Sequence, residues 1–192
     1  MNKHLPLMLV TAIGITFAGC SAATKELTHM SQSVKTDVFT EVNTAEAPTS
    51  GFADMVIKTS IKTPPRSNKP YSFLFNIDGQ AVVWNVDGQR ETVPLYDASG
   101  KTSRDPDAGE GVKYHLEKKI RLAPGKHSIF FALPEEPYYT VVRITLTEAE
   151  TSILEFKPRY RYKTVPTRIP TFLAGISNYE ALLNGTVLQG NE

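Results

Sequence analysis

The chain has 192 residues, with 21 Lys and Arg against 20 Asp and Glu and a formal net charge of +1 at pH 7. Balanced charge argues against a general binder of nucleic acid or other polyanions. A single cysteine excludes an intramolecular disulfide, so the fold has to rest on its apolar core, and the length suits one domain of ordinary size with an extra segment.

Lys3 and His4 form a short basic start. Leu5 to Phe17 is apolar apart from Thr11 and Thr16, with Pro6 and Gly14 as interruptions. That length fits a secretory apolar region of about 7–15 residues and falls short of the about 20 that a spanning helix needs. Phe17-Ala18-Gly19-Cys20 closes the stretch, and polar residues (Ser21, Thr24, Lys25, Glu26) follow at once. These residues resemble the lipobox of a bacterial lipoprotein signal peptide, with Phe17 where leucine is usual. The resemblance implies cleavage before Cys20, acyl chains such as palmitate on that cysteine, and export to the cell envelope. With Ser21 rather than Asp next in the chain, it also implies sorting to the outer membrane. The other reading is an ordinary secretory signal with an incidental cysteine. Cleavage would remove Lys3 and no acidic residue, so the mature chain would carry no net charge. Each buried acyl methylene contributes about 0.8 kcal/mol, so several chains on Cys20 would hold the protein to the bilayer durably.

Residues 20–51 are rich in Ser, Thr, Ala, Lys and Glu. Leu27, Met30 and Val34 have weak helical spacing, and the expectation is a lipidated cysteine followed by a flexible polar tether with a helical turn or two. From Phe52 a period of two sets in. Met55, Ile57, Thr59 and Ile61 alternate with Val56, Lys58, Ser60 and Lys62. After the Pro64-Pro65 loop, Tyr71, Phe73, Phe75 and Ile77 alternate again and lead into Asp78-Gly79. Ala81 to Val86 then reaches a second Asp-Gly at Asp87-Gly88. Both central positions of a type I′ turn need positive φ, so these two dipeptides predict antiparallel hairpins. A polar loop spans 97–111. Strands are then expected around Tyr114–Leu122, Ser128–Leu133, Tyr139–Leu146 and Ile153–Lys157, with Pro124-Gly125, Pro134–Pro137 and Glu148–Glu150 as turns. Trp84 reads as a core anchor. Ile176 to Leu183 is predicted as a short helix, with Ser177 and Glu180 as a capping pair and Gly185 near its end.

The resulting fold class is all-β: a single antiparallel β-sandwich of the immunoglobulin- or prealbumin-like kind over 52–162. Ahead of it come a signal peptide (1–19) and the tether (20–51), and behind it an irregular tail (163–192) with the short helix. Phe75-Asn76-Ile77-Asp78-Gly79, Leu122-Ala123-Pro124-Gly125-Lys126-His127-Ser128-Ile129, Tyr139 to Leu146 and Ser152 to Phe156 together resemble the PEGA-type β-sandwich domains of bacterial envelope lipoproteins. Two features depart from that pattern: the long segment between Gly79 and Pro124, and Pro134-Glu135-Glu136-Pro137 in place of Pro-Glu-Gly-Ala. The resemblance implies a binding or scaffolding module rather than an enzyme.

Arg159, Arg161 and Lys163 alternate with Tyr160 and Tyr162. In an extended segment the cations share one face and the tyrosines the other. They form either a contact surface for headgroups, glycan or an acidic partner, or a charge-protected edge strand whose tyrosines pack inward. Asp105, Asp107 and Glu110 place oxygen ligands near a glycine, but Pro106 and the missing twelve-residue spacing make a solvated acidic loop the better reading than a calcium site. His115 and His127 lack partners at metal-ligand spacing. Gly-x-Ser-x-Gly and phosphate-cradling glycine loops are absent from the sequence. The expectation is therefore a protein without catalytic residues, metal or cofactor. Its partners are the membrane, through lipid on Cys20, and another envelope protein, not nucleic acid. A small ligand or glycan at Trp84, Tyr138, Tyr139 or the 97–111 loop is the alternative.

Overall fold

A computed structural model describes residues 22–43, 45–65, 69–136, 138–161 and 172–188. The expected signal peptide, Cys20, Tyr162 and Lys163 lie outside the described residues. Within them the chain forms one helix, α1 (Ala22–Met30), and eleven strands. These are β1 (Phe39–Glu41), β2 (Ala53–Thr63), β3 (Tyr71–Ile77), β4 (Gln80–Val86), β5 (Gln89–Val93), β6 (Gly109–Leu122), β7 (Gly125–Ala132), β8 (Tyr139–Leu146), β9 (Thr151–Tyr160), β10 (Ile176–Leu183) and β11 (Thr186–Val187). A single 3₁₀ turn, Phe172–Gly175, precedes β10.

The strands make two packed sheets, an all-β sandwich. The smaller sheet runs β4-β3-β7-β8. The larger runs β6-β2-β9-β10-β11, and β6, fourteen residues long, also pairs along its far edge with β1 and β5. β1 takes residues 120–122 of β6 and β5 takes 109–113. All pairings are antiparallel except β2 with β9, which run parallel because the smaller sheet, β5 and β6 all intervene between them in the chain. The alternation seen in the sequence sorts the faces. Met55, Ile57 and Ile61 from β2, Phe73, Phe75 and Ile77 from β3, Ile129 and Phe131 from β7, and Leu154 and Phe156 from β9 are fully buried between the sheets. Phe131 stacks on Phe156 with ring centroids 4.6 Å apart, and Phe75 lies 5.0 Å from Phe131 and 5.1 Å from Trp84. Such aromatic pairs add about 0.5–1.5 kcal/mol each beyond their buried area.

Asp78-Gly79 is the expected hairpin: φ is 48° and 101°, and Ile77 pairs with Gln80. Asp87-Gly88 is not a hairpin. β4 pairs with β3 in one sheet and β5 with β6 in the other, so the dipeptide carries the chain around the rim of the sandwich. Glycine is needed at 88 for space: a Cβ there would sit 2.2 Å from Val112 Cγ1 and 2.7 Å from Tyr114 Cε1.

The C-terminal helix expected over Ile176–Leu183 is instead β10, antiparallel to β9 from Ile176↔Tyr160 to Leu183↔Leu154. Eight residues cannot sustain an isolated helix, and β9 offers a row of backbone donors and acceptors that a strand satisfies. Ser177 and Glu180 do not cap. The Ser177 hydroxyl donates to the Arg159 carbonyl, and Glu180 pairs with the Arg159 side chain.

The segment expected to be a tether is fastened to the sandwich. Leu27 and Met30 of α1 pack on Leu74, Phe130 and Ala132 on the outer face of the smaller sheet, and Asn76 Nδ2 donates to the Met30 carbonyl at 2.9 Å. The Val34 and Lys35 N–H groups donate to the Gly79 carbonyl, and Gln80 Oε1 accepts from the Val38 and Phe39 N–H groups. Phe39 then joins the core.

Candidate functional site

The cationic end of β9 begins at Lys157 and continues through Pro158 to Tyr160. β10 pairs along this whole stretch, so β9 has no free edge on that side. Arg159 stands on the outer face, its side chain 61% exposed, with Nη1 2.9 Å from Glu180 Oε1. On the same face Lys157 Nζ lies 3.2 Å from Glu155 Oε2. Tyr160 turns inward, opposite to Arg159 as alternation predicts, and its hydroxyl donates to Asp107 Oδ1 at 2.7 Å. Burial, and then the Asp107 carboxylate beside it, push the Tyr160 phenol well above its ordinary range. Arg161 is exposed, and its N–H donates to the Gly175 carbonyl.

Asp107 is where several elements meet. Its Oδ2 lies 2.5 Å from Lys113 Nζ, and its carbonyl accepts from Lys62 Nζ at 2.7 Å. Lys62 is fully buried. It crosses over Gly111, where a Cβ would come within 2.6 Å of Lys62 Cε, and also donates to the Gly109 carbonyl at 2.9 Å. Glu91 Oε2 lies 3.2 Å away and the Phe172 ring 5.1 Å away. The ammonium therefore locks the end of the 94–108 loop. The three carboxylates of the acidic loop do not converge: Asp107 is engaged as described, Asp105 Oδ1 accepts from the Asp107 N–H, and Glu110 pairs with Arg90. Among the described residues no cluster of three or more His, Cys, Asp or Glu is arranged to hold a metal. His115 is exposed beside Glu117. His127 is buried, with Nδ1 2.7 Å from Asp78 Oδ2 and Nε2 2.9 Å from the Ala123 carbonyl.

The aromatic candidates divide. Trp84 is buried and donates from Nε1 to Glu41 Oε1 at 2.7 Å, while Lys118 Nζ reaches Glu41 Oε2 at 3.1 Å. Burial raises the Glu41 carboxyl, but these two bonds outweigh it and leave the group below its ordinary range. Tyr138 donates its hydroxyl to the Ile176 carbonyl. Tyr139 is exposed and stacks on Phe130.

Two features escape sequence reading. Asp54, fully buried in β2, sits between Lys119 and Arg121 of β6: Lys119 Nζ is 3.0 Å from Oδ2 and Arg121 Nε 2.8 Å from Oδ1. Hydrogen bonds from Arg121, then Lys119, hold its carboxyl below the usual carboxylate range against the opposing effect of burial. The same two cations donate to the Glu46 and Ala47 carbonyls and so strap the preceding chain to the sheet. Second, Tyr71 of β3 and Tyr179 of β10 approach from opposite sheets, each 8% exposed, and neither hydroxyl has a hydrogen-bond partner. Burial raises both phenols above their ordinary range, and the Glu136 carboxylate adds to it. Alternation marks Tyr71 as inward-facing, but Tyr179 lies in the segment expected to be a helix, and only the packing of the two sheets brings the pair to one region. No protein-family model, curated protein or solved structure significantly matches the chain.

Proposed function

We propose that the chain is a lipid-anchored envelope protein, held at the outer membrane by acyl chains on Cys20, whose sandwich is a non-catalytic interaction module for another envelope protein. The observation that carries this reading is the Phe17–Cys20 run at the end of a short apolar stretch. The PEGA-like segments support it as analogy, since fold alone does not fix function. In this reading the exposed Arg159 at the end of β9 and Arg161 just beyond it, with Tyr162 and Lys163 following, form the contact surface, and the inward Tyr160 holds that end of the strand in place. The test is cross-linking in intact cells of a C-terminally tagged chain, with Cys20→Ala as the mislocalised control. A stoichiometric partner lost in the control is the expected result. Arg159→Glu with Arg161→Glu breaks one exposed ion pair, a cost of about 1 kcal/mol or less. The sandwich should persist while partner recovery disappears, and unchanged recovery removes this surface from consideration.

A second reading, a small-ligand or glycan site, is favoured by the unpartnered Tyr71 and Tyr179 hydroxyls. A buried hydroxyl without a partner costs about 1–3 kcal/mol, so Tyr179→Phe should leave stability unchanged or raise it. A saccharide that raises the melting temperature of the native chain but not of Tyr179→Phe would support the ligand reading, because binding only the folded state stabilises that state. A more stable variant with no saccharide response in either protein removes it.

A further inference from the structure

The chain after Cys20 does not trail away from the domain. Ala22, where α1 starts, is two positions beyond the cysteine, so their Cα atoms lie no more than about 7 Å apart even if the link is fully extended. α1 is seated on the outer face of the smaller sheet through Leu27 and Met30, which meet Leu74, Phe130, Ala132 and Val141. The helix is held at its far end by Asn76, and the chain beyond it by Ser33, whose hydroxyl donates to the Ala81 carbonyl and accepts from the Ala81 N–H. Lys25, Thr28 and His29 face outward from the helix. Val83 and Tyr139 are exposed on the same sheet face, as their pairing with Leu74 and Ala132 requires. Tyrosine suits an interface that is apolar on one side and wet on the other.

We infer that the α1-bearing face of the smaller sheet is the membrane-facing surface of the protein, lying against the lipid bilayer, while the outer face of the larger sheet points away from it. This rests on the anchored reading above. A lipid on Cys20 fixes one point at the bilayer, and the docked helix leaves too little chain for the sandwich to turn over. Lys157, Arg159 and Glu180 then project into the compartment where a protein partner can reach them. The anchor and the contact surface are on opposite sides of one rigid body.

The arrangement is tested with the full chain purified from membranes, its mass recording whether Cys20 is acylated. It is reconstituted into phosphatidylethanolamine–phosphatidylglycerol vesicles containing brominated lipid. With Cys20 consumed by lipid, Val83→Cys and Lys157→Cys each supply a single free thiol for a fluorophore, one on the outer face of each sheet. Packed sheets are about 10 Å apart, so the label at 157 stands beyond the reach of bromine quenching. Severalfold stronger quenching at 83 than at 157 is expected, and Leu27→Glu with Met30→Glu, which undocks α1 and frees the sandwich to turn, should abolish the difference. Equal quenching in an acylated protein overturns the orientation and leaves the anchor intact. A difference that survives undocking overturns the role of α1. A mass without acyl chains overturns the anchor and the orientation together.

Discussion

Asp54→Asn is expected to cost about 3–5 kcal/mol, the usual consequence of removing one partner from a buried ion pair. Asparagine keeps the shape and loses the charge. Lys119, 4% exposed, and Arg121 would then be left largely desolvated, with only the exposed Glu46 carboxylate 3.8 Å from Arg121 to offset their charge. A domain of this size is stable by about 5–15 kcal/mol, so the loss is a large fraction of the total. The measurement is the urea midpoint, with the slope checked for two-state behaviour. The sign of the pH dependence follows from the depressed Asp54 carboxyl. Its contribution is complete above the unfolded-state pKa of about 3.9 and is lost as pH falls through the lower folded value. The native protein should therefore weaken more steeply below about pH 4 than the variant, which has already lost that contribution. Proteolysis at 42–47 should accelerate too, because Lys119 and Arg121 hold those carbonyls while Asp54 holds the cations. An unchanged midpoint would mean that water, not Asp54, balances the two cations.

The strands that build the core were legible because one face of each is buried and period-two alternation records which. β8 and β9 carry that pattern most clearly, whereas β2 is buried on both faces at its ends and β3 on both faces where α1 covers Leu74. Pairing was less legible. Asp78-Gly79 and Asp87-Gly88 are the same dipeptide, yet one closes a hairpin and the other crosses between sheets. The difference lies in what meets the next strand: β5 finds β6, twenty residues ahead in the chain, and no local signal encodes that. Ile176–Leu183 fails for a related reason. Its apolar residues satisfy a helical stripe and an inward strand face about equally, and β9 decides between them. The N-terminal segment looked like a tether because its polar composition hides three anchors, Leu27, Met30 and Phe39, whose partners are far away in sequence.

At the candidate site, alternation put Arg159 and Tyr160 on opposite faces, because orientation along a strand is a local property, but left open which face is inward; the structure turns Tyr160 in and Arg159 out. Alternation could not reveal that Tyr160 meets Asp107, or that β10 covers the backbone edge of β9. Asp105, Asp107 and Glu110 looked alike as acidic loop residues. The structure gives them different duties because Lys62 and Lys113 arrive from β2 and β6.

Lys62→Met separates those duties by energy. Methionine keeps the apolar stem over Gly111 and removes the ammonium, leaving the Asp107 and Gly109 carbonyls without their buried donor. Each stranded acceptor costs about 1–3 kcal/mol, so a loss of about 2–6 kcal/mol is expected. Glu91→Gln is the control. Glu91 is 42% exposed, so water screens its pair with Lys62, and the Lys62 ammonium keeps both carbonyl acceptors in this variant; a smaller cost of about 1 kcal/mol is expected. Urea unfolding of the two variants therefore ranks carbonyl ligation against ion pairing. A large loss in the methionine variant alone makes Lys62 a clamp on the loop backbone. Equal losses would mean that the Glu91 pair dominates. Protease sensitivity of the loop reads the same difference locally: fast cutting in Lys62→Met and slow cutting in Glu91→Gln is the pattern that two buried carbonyl acceptors require.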